Sequence, residues 1–280
     1  MLDMMKYPEI CAVICSYQMA PEQICLRLRD FGQRIGVKIT GVVVCNGPHP
    51  LPANTAEWTF LKGTNEDLDF SAYMEGAEYL IEQGQVPECA LVLNDTLFTS
   101  HNGFRVLRDI LKYREPVRLS PLPAIAGKTD PYDNACYSNP WSGLGLYVST
   151  FCFLINRGGI QLLLTLRQKA DLDLGASKTV LTDPGWGAGL APAFKEYLKA
   201  HLVYRDTSVS WYRLRKYENN NQLIGKKARG VYFEHRLSGD IGASGVIFSV
   251  YPRPLMKARF FVFEQIAKVF RKLRWPKPRA

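Results

Sequence analysis

The chain has 280 residues, 47% of them hydrophobic and 12% aromatic, with a formal net charge of +9. This is too apolar for a disordered chain, and the length suits one large core or a main domain with a small appendage. Eight basic residues against one acid, Glu264, in 257–280 carry +7 of that charge, so the rest is nearly neutral and lacks the basic face that nucleic acid requires.

No run approaches the roughly 18 consecutive apolar residues of a membrane-spanning helix. The start, MLDMMKYPEI, has no apolar stretch followed by small cleavage-site residues, so no secretory signal is expected. Seven scattered cysteines (Cys11, Cys15, Cys25, Cys45, Cys89, Cys136 and Cys152) contain no CxxC pair. They read as small hydrophobes in a reducing compartment. A cytoplasmic protein, soluble or peripheral on a membrane, is the expectation.

In chain order, CAVIC (11–15) is a short strand ending in Ser16-Tyr17. Pro21 opens a helix with Ile24, Leu28, Phe31 and Ile35 on one face, and Gly36 is its stop. Lys38–Cys45 is a buried strand closed by Asn46-Gly47-Pro48, and Trp58–Leu61 is a third strand. Asp69 is placed to cap a helix carrying Phe70, Tyr73, Ala77 and Leu80, with Gly84 as its stop. Cys89–Leu93 runs as a fourth strand into Asn94-Asp95-Thr96. A helix near Phe104–Tyr113, strands near Ala124–Gly127 and Leu146–Ile155, and helices over Gly159–Gln168 and Leu190–His201 follow. Beyond His201 the pattern weakens, with candidate strands at Gly230–His235 and Gly245–Tyr251. Apolar strands alternating with amphipathic helices indicate an α/β sheet covered on both faces, which binds ligands at the carboxyl ends of its strands. The polar residues at those ends are Ser16-Tyr17, Asn46 and Asn94-Asp95.

The chain has no phosphate-binding GxxxxGK[ST], no GxGxxG after the first strand, no GxSxG and no HExxH. Its four histidines are far apart in sequence. The strand-end Asn94-Asp95 is left as the chemical signal. A hard cation such as Mg²⁺ or Mn²⁺ takes carboxylate oxygen together with water and ligand phosphate. The other reading of Asp95 is a turn cap.

Four segments carry a resemblance. GTNEDLDFSAYMEG (63–76) is similar to N-x-G-x-D-[FG]-x-[SA]-Y-x-x-G, and LVLNDTLF (91–98) to a strand ending in NDS. GLYVSTFCFLINRGGI (145–160), with Ser149, and PLMKARF (254–260) resemble later segments of the same proteins. In these the chain resembles bacterial glycosyltransferases of the GT-A superfamily, in the branch of rhamnan, capsular and O-antigen polysaccharide transferases. The likeness covers about residues 8–200, with an echo at 254–260.

The resemblance implies a GT-A-like mixed, mostly parallel sheet covered by helices. It also implies transfer of a sugar, with inversion, from a nucleotide-diphosphate donor to a growing surface polysaccharide or lipid-linked acceptor. It puts the nucleoside near Ser16, Tyr17 and Asn46, and Asp69 and Ser71 close to the donor. Asp95 would hold a Mn²⁺ or Mg²⁺ ion on the diphosphate, with Asn94 beside it. Three departures stand out. Asn46 replaces an acid of many relatives, the metal motif has a single acid, and WGAGLA (186–191) puts Gly187 where relatives carry a glutamate. An inverting transferase needs a general base, for which Asp130 is the leading candidate, ahead of Asp133 and Asp183. Trp141, Trp186 and Trp211 suit packing better than stacking on sugar.

Leu255–Leu273 forms a basic helix with Phe260, Phe263, Ala267, Phe270 and Leu273 near one face. An anionic membrane surface is the partner expected for it, through Lys257, Arg259, Phe260, Phe263, Lys268, Phe270, Arg271 and Trp275. The alternative is that the apolar face packs on the domain. The chain thus divides into a catalytic domain (1–205), a segment that completes it or covers its cleft (206–254) and a basic amphipathic tail (255–280). A second reading is a non-enzymatic α/β binding protein that docks on a membrane or nucleic acid through this tail.

Overall fold

Side-chain alternation along β1 (Glu9–Ser16) puts Val13 and Cys15 on one face and Ala12 and Ile14 on the other, all buried. A strand apolar on both sides needs cover on both sides, and the following elements supply it. The computed structural model describes residues 9–132, 138–175, 183, 185–202, 221–252 and 254–274, without the side chains of 201, 221, 267, 268 and 270–274. After β1 come α1 (Pro21–Ile35), β2 (Lys38–Cys45), β3 (Trp58–Lys62), α2 (Asp69–Glu82) and β4 (Cys89–Asn94). Short helices α3 (Thr96–Thr99), α4 (Gly103–Leu111) and α5 (Arg114–Arg118) lead to β5 (Ala124–Pro131) and β6 (Leu146–Asn156). The chain continues through α6 (Arg157–Leu164), α7 (Leu166–Leu174), α8 (Pro192–Leu202), α9 (Asn221–Ser244), β7 (Val246–Ser249) and α10 (Pro254–Arg274).

The described strands form one sheet in the order β3-β2-β1-β4-β6-β5-β7. Only β6 runs against the others. The fold is therefore an α/β fold with a mostly parallel mixed sheet, compatible with a Rossmann-like arrangement. One face is covered by α2 and α6–α9, through residues such as Tyr73, Leu163 and Phe233; the other by α1 and α4, through Leu28, Phe31 and Ile110. Among the described residues no helix is long and apolar enough to cross a membrane.

Local signals explain most boundaries. Gly36 ends α1 in the left-handed region at φ 68°, its N–H bonded to the Gly32 carbonyl. Asn156 caps α6 by accepting from the Gly159 amide at 3.0 Å.

Three expectations are corrected. Gly230–His235 is not a strand but the middle of the 24-residue α9. Its buried Ala228, Val231, Tyr232, His235, Ser238 and Ile241 recur at helical spacing, and the aromatic content of GVYFEH reflects burial among aromatic neighbours. The helix expected over 159–168 breaks at Thr165 into α6 and α7. Asp69 does not cap α2, because the cap position is Leu68, at φ 56°, and the Asp69 carboxylate turns toward β4 and β1.

Candidate active site

Order in the sheet reverses at β1: β2 and β3 lie on one side and β4 on the other. Such a reversal opens a crevice beyond the carboxyl ends of the two diverging strands. Here those ends are Ser16 on β1 and Asn94 on β4. One atom bridges the crevice. Asp95 Oδ2 accepts hydrogen bonds from the backbone amides of Tyr17 (2.9 Å), Gln18 (2.5 Å) and Met19 (2.8 Å). The carboxylate is buried and pins the β1–α1 loop, leaving Tyr17 46% exposed at the lip. The Ser16 hydroxyl is buried and donates to the Met19 carbonyl at 2.7 Å, so it braces the same loop from inside.

The β2 side is built on close approach. Asn46 donates to the Leu68 carbonyl at 2.9 Å and, at 3.5 Å, to the Ser71 hydroxyl, which itself donates to the Leu68 carbonyl at 2.7 Å. A Cβ on Gly63 would lie 1.9 Å from Asn46 Oδ1, and one on Gly47 would lie 2.1 Å from the Tyr17 carbonyl oxygen. Asn46 Oδ1 is buried without a hydrogen-bond partner among the described residues. Ser71 is fully buried, so it ties the start of α2 to Asn46 from within the protein.

Asp69 forms the floor. Its carboxylate accepts from Asn94 Nδ2 at 2.6 Å, and the Cys15 thiol lies at 3.6 Å. Burial pushes the Asp69 carboxyl above its ordinary value; Lys227 and the Asn94 amide oppose the shift, and Asp95 adds to it. The preceding residues are strained, with Asn65 at φ 53° and Leu68 at φ 56°. They are held by Asp67, which is buried and bonded to Arg229 Nε at 2.9 Å and Arg167 Nε at 3.0 Å.

Because β6 is reversed, its first residues arrive at the same edge of the sheet where β5 ends. The strand expected at Ala124–Gly127 extends to Pro131, so Asp130 is a strand residue just past an irregularity between Gly127 and Thr129. Such irregularities re-aim side chains beside functional sites. Asp130 is ion-paired with Lys128 and accepts from the Ser149 hydroxyl.

Next to it is a carboxylate that the sequence reading missed. Glu234 on α9 accepts from the Thr150 amide at 2.8 Å and the Thr150 hydroxyl at 3.0 Å. Burial raises its carboxyl above the ordinary value; Thr150 and Lys227 oppose that shift and Asp130 adds to it. Lys227 therefore stands electrostatically between Asp69 and Glu234. The seven-residue spacing of Lys227 and Glu234 puts them on one helix face. That signal becomes readable only once 221–244 is known to be helical.

The fit to a divalent cation is partial. Asp95 Oδ2 is taken by the loop, which leaves Oδ1 for an ion. Among the described residues no three His, Cys, Asp or Glu side chains gather to hold a metal. A cation here would complete its shell with water and a ligand's diphosphate.

Other candidates fall elsewhere. Trp186 is buried, and Trp141 packs against Phe194 and Tyr232 with Arg236 over its ring, so both are packing residues. Asp183 lies in the turn before α8, where its carbonyl accepts from the Trp186 amide. Asp133 and Trp211 lie outside the described residues. On α10, Phe260 packs 4.8 Å from Tyr251, and Phe263 lies under Arg105 at 3.6 Å. These two expected membrane contacts thus turn toward the body, while Lys257 and Arg259 are exposed. The exposed apolar residues of α10 are Leu255, Phe261, Val262, Ile266 and Val269. The side chains of Lys268, Phe270 and Arg271, and all of Trp275, lie outside the described residues.

No protein-family model matches the chain, and no curated protein matches it.

Proposed function

We propose that the chain is a GT-A-like glycosyltransferase that moves a sugar from a nucleotide-diphosphate donor to a polysaccharide or lipid-linked acceptor at an anionic membrane surface. The observation that carries the reading is the crevice at the β1–β4 reversal. Asp69, Asn94 and Asp95 meet there, and Asp130 and Glu234 lie along the same edge.

In this reading Tyr17 and Asn46 flank the nucleoside, and Asp69 faces the donor sugar from the crevice floor. A Mn²⁺ or Mg²⁺ ion on Asp95 Oδ1 would neutralise charge on the diphosphate. Asp130 accepts the proton of the acceptor hydroxyl as its oxygen bonds the anomeric carbon. The bond from that carbon to the diphosphate breaks, and its electron pair leaves with the nucleoside diphosphate. Transfer from the opposite face inverts the anomeric centre. Lys128 and Ser149 hold the Asp130 carboxylate in place. The basic, apolar-striped α10 supports a membrane-surface location.

The test is thermal unfolding with UDP, GDP, dTDP and CMP and their common sugar conjugates, with and without Mn²⁺. A ligand that binds only the folded state raises the midpoint. Asp69→Asn is the informative variant, because Asp95 also pins a loop and its loss would mix stability with binding. A metal-dependent rise with one nucleotide, lost in Asp69→Asn, is the expected outcome. No rise with any nucleotide would sink the reading in favour of a non-enzymatic membrane-docking protein.

A further inference from the structure

Arg105 and Arg108 on α4, and Lys112 just past its end, follow one another at spacings of three and four, which puts them on one helix face. Together with Arg259 of α10 they line a cavity of about 200 Å³ between the two helices. Among the described residues of its wall the only acid is Asp109. Four cations gathered on one carboxylate repel one another unless a further negative charge joins them.

Asp109 is already engaged. It holds Lys112 at 2.8 Å and accepts from the Tyr251 hydroxyl at 3.3 Å, while Arg108 at 3.9 Å and Arg105 at 4.0 Å stand beyond hydrogen-bond reach. The Arg105 side chain is only 18% exposed, and its N–H groups meet no acceptor among the described residues. What fixes it is the Phe263 ring, whose centre lies 3.6 Å from its guanidinium carbon and 5.8 Å from that of Arg259. One ring thus gathers a guanidinium from each helix and leaves their donors unused. A mostly buried guanidinium without an acceptor is costly, and an anion in the cavity removes that cost.

We propose that this cavity binds a doubly charged phosphate group, held by Arg105 and Arg108 from α4 and by Arg259 from α10. A carboxylate brings one charge and two oxygens, whereas a terminal phosphate brings nearly two charges and three oxygens for three guanidinium forks to share. The volume is below the roughly 300 Å³ at which pockets for drug-sized ligands begin, so the ligand is inorganic phosphate, diphosphate or the exposed phosphate of a larger ester. The cavity contains none of Tyr17, Asn46, Asp69, Asp95 and Asp130, and the proposal does not rest on the transferase reading. Tyr251 and Phe260 line both this cavity and a separate one that contains Asp130, so an anion tying α10 to α4 also sets the wall of that neighbour.

The experiment is calorimetric titration of the full chain with inorganic pyrophosphate in metal-free buffer. Saturable one-site binding is expected, weakened roughly tenfold in Arg108→Gln and in Arg259→Gln, because each change removes hydrogen bonds to a charged group. Both side chains are exposed, so both variants should fold. Lys257→Gln removes the same charge from the same helix, but Lys257 lies outside this cavity and should change the affinity less than about twofold. Absence of saturable binding, or equal weakening by Lys257→Gln and Arg259→Gln, overturns the proposal, since the cations then attract anions only as a diffuse field. Vesicles carrying phosphatidic acid or, at equal charge, phosphatidylglycerol distinguish the source of the phosphate. Selective loss of phosphatidic acid binding in Arg259→Gln supports the site with a lipid headgroup as its ligand, and pyrophosphate binding without that loss supports it with a soluble phosphate.

Discussion

Replacing Asp67 by Asn tests how the floor of the crevice is held. Asp67 is 3% exposed and joins Arg229, 5% exposed, to Arg167. Removing one partner of a buried ion pair costs about 3–5 kcal/mol, because the other charge is left desolvated. The lower end applies here, since Arg229 keeps Asp171 at 3.0 Å and Arg167 is one-third exposed and can turn to water. With an unfolding entropy of about 2.1 cal/mol/K per residue, a loss of about 3 kcal/mol lowers the midpoint by about 5 °C. Urea unfolding followed by tryptophan fluorescence gives the free energy, and scanning calorimetry gives the midpoint. Asp67→Asn with Arg229→Met should be less destabilised than the sum of the single changes, because the double variant removes both ends of one bond. An Asp67→Asn cost below about 0.5 kcal/mol, or strict additivity, would refute the argument that this pair holds the strained segment before Asp69.

Glu234→Gln should raise stability at neutral pH, since the raised carboxyl pKa means that burial opposes ionisation. A carboxyl with a raised folded-state pKa stabilises most below its unfolded value, and that contribution fades as pH rises through the folded value. The advantage of Gln should therefore vanish on acidification, and midpoints measured across the acid range that stay parallel would refute it. Burial raises the Cys11 thiol to about 11 and the Cys25 and Cys89 thiols to about 12, so iodoacetamide at pH 7.5 should leave all three unmodified until the protein is unfolded. Mass spectrometry of the digested peptides reads this directly. Val262→Ser with Ile266→Ser should weaken binding to anionic vesicles roughly tenfold at unchanged midpoint. Phe260→Ala should instead lower the midpoint, because its ring packs on Tyr251. Co-sedimentation with vesicles separates the two, and equal vesicle binding by the double serine variant would remove the exposed stripe from the membrane argument.

The first half of the fold was legible because each element announces itself locally. CAVIC, KITGVVVC and CALVL are apolar on both faces, and Gly36 stops its helix as a left-handed glycine does. Strand ends then followed from topology, which is why Tyr17, Asn46 and Asp95 are found along the carboxyl edge of the sheet. The second half hid its chemistry. GVYFEH carries strand-forming residues, yet α9 is helical because it is packed against β6, α6, α7 and α8. Glu234 and Lys227 went unseen with it. The α10 faces were misjudged for a related reason. Periodicity identifies an apolar stripe but not which of two stripes meets the protein, and the aromatic one does so here through Tyr251 and Arg105. Asp69 was found as a helix-start residue, but its bond to Asn94 crosses 25 residues and has no local signature.

The three amides gathered on one Asp95 oxygen have a mechanical meaning as well. A loop whose consecutive N–H groups converge on a buried carboxylate cannot swing without releasing all three at once, so the β1–α1 side of the crevice behaves as an anvil. Any tightening around a bound ligand must then be drawn from the opposite bank. There α10 rests on the body through Phe260, Phe263 and the Glu264 carboxylate, which accepts from the Asn102 amide and pairs with His101. The molecule thus keeps its stiffness at the β1 end of the crevice.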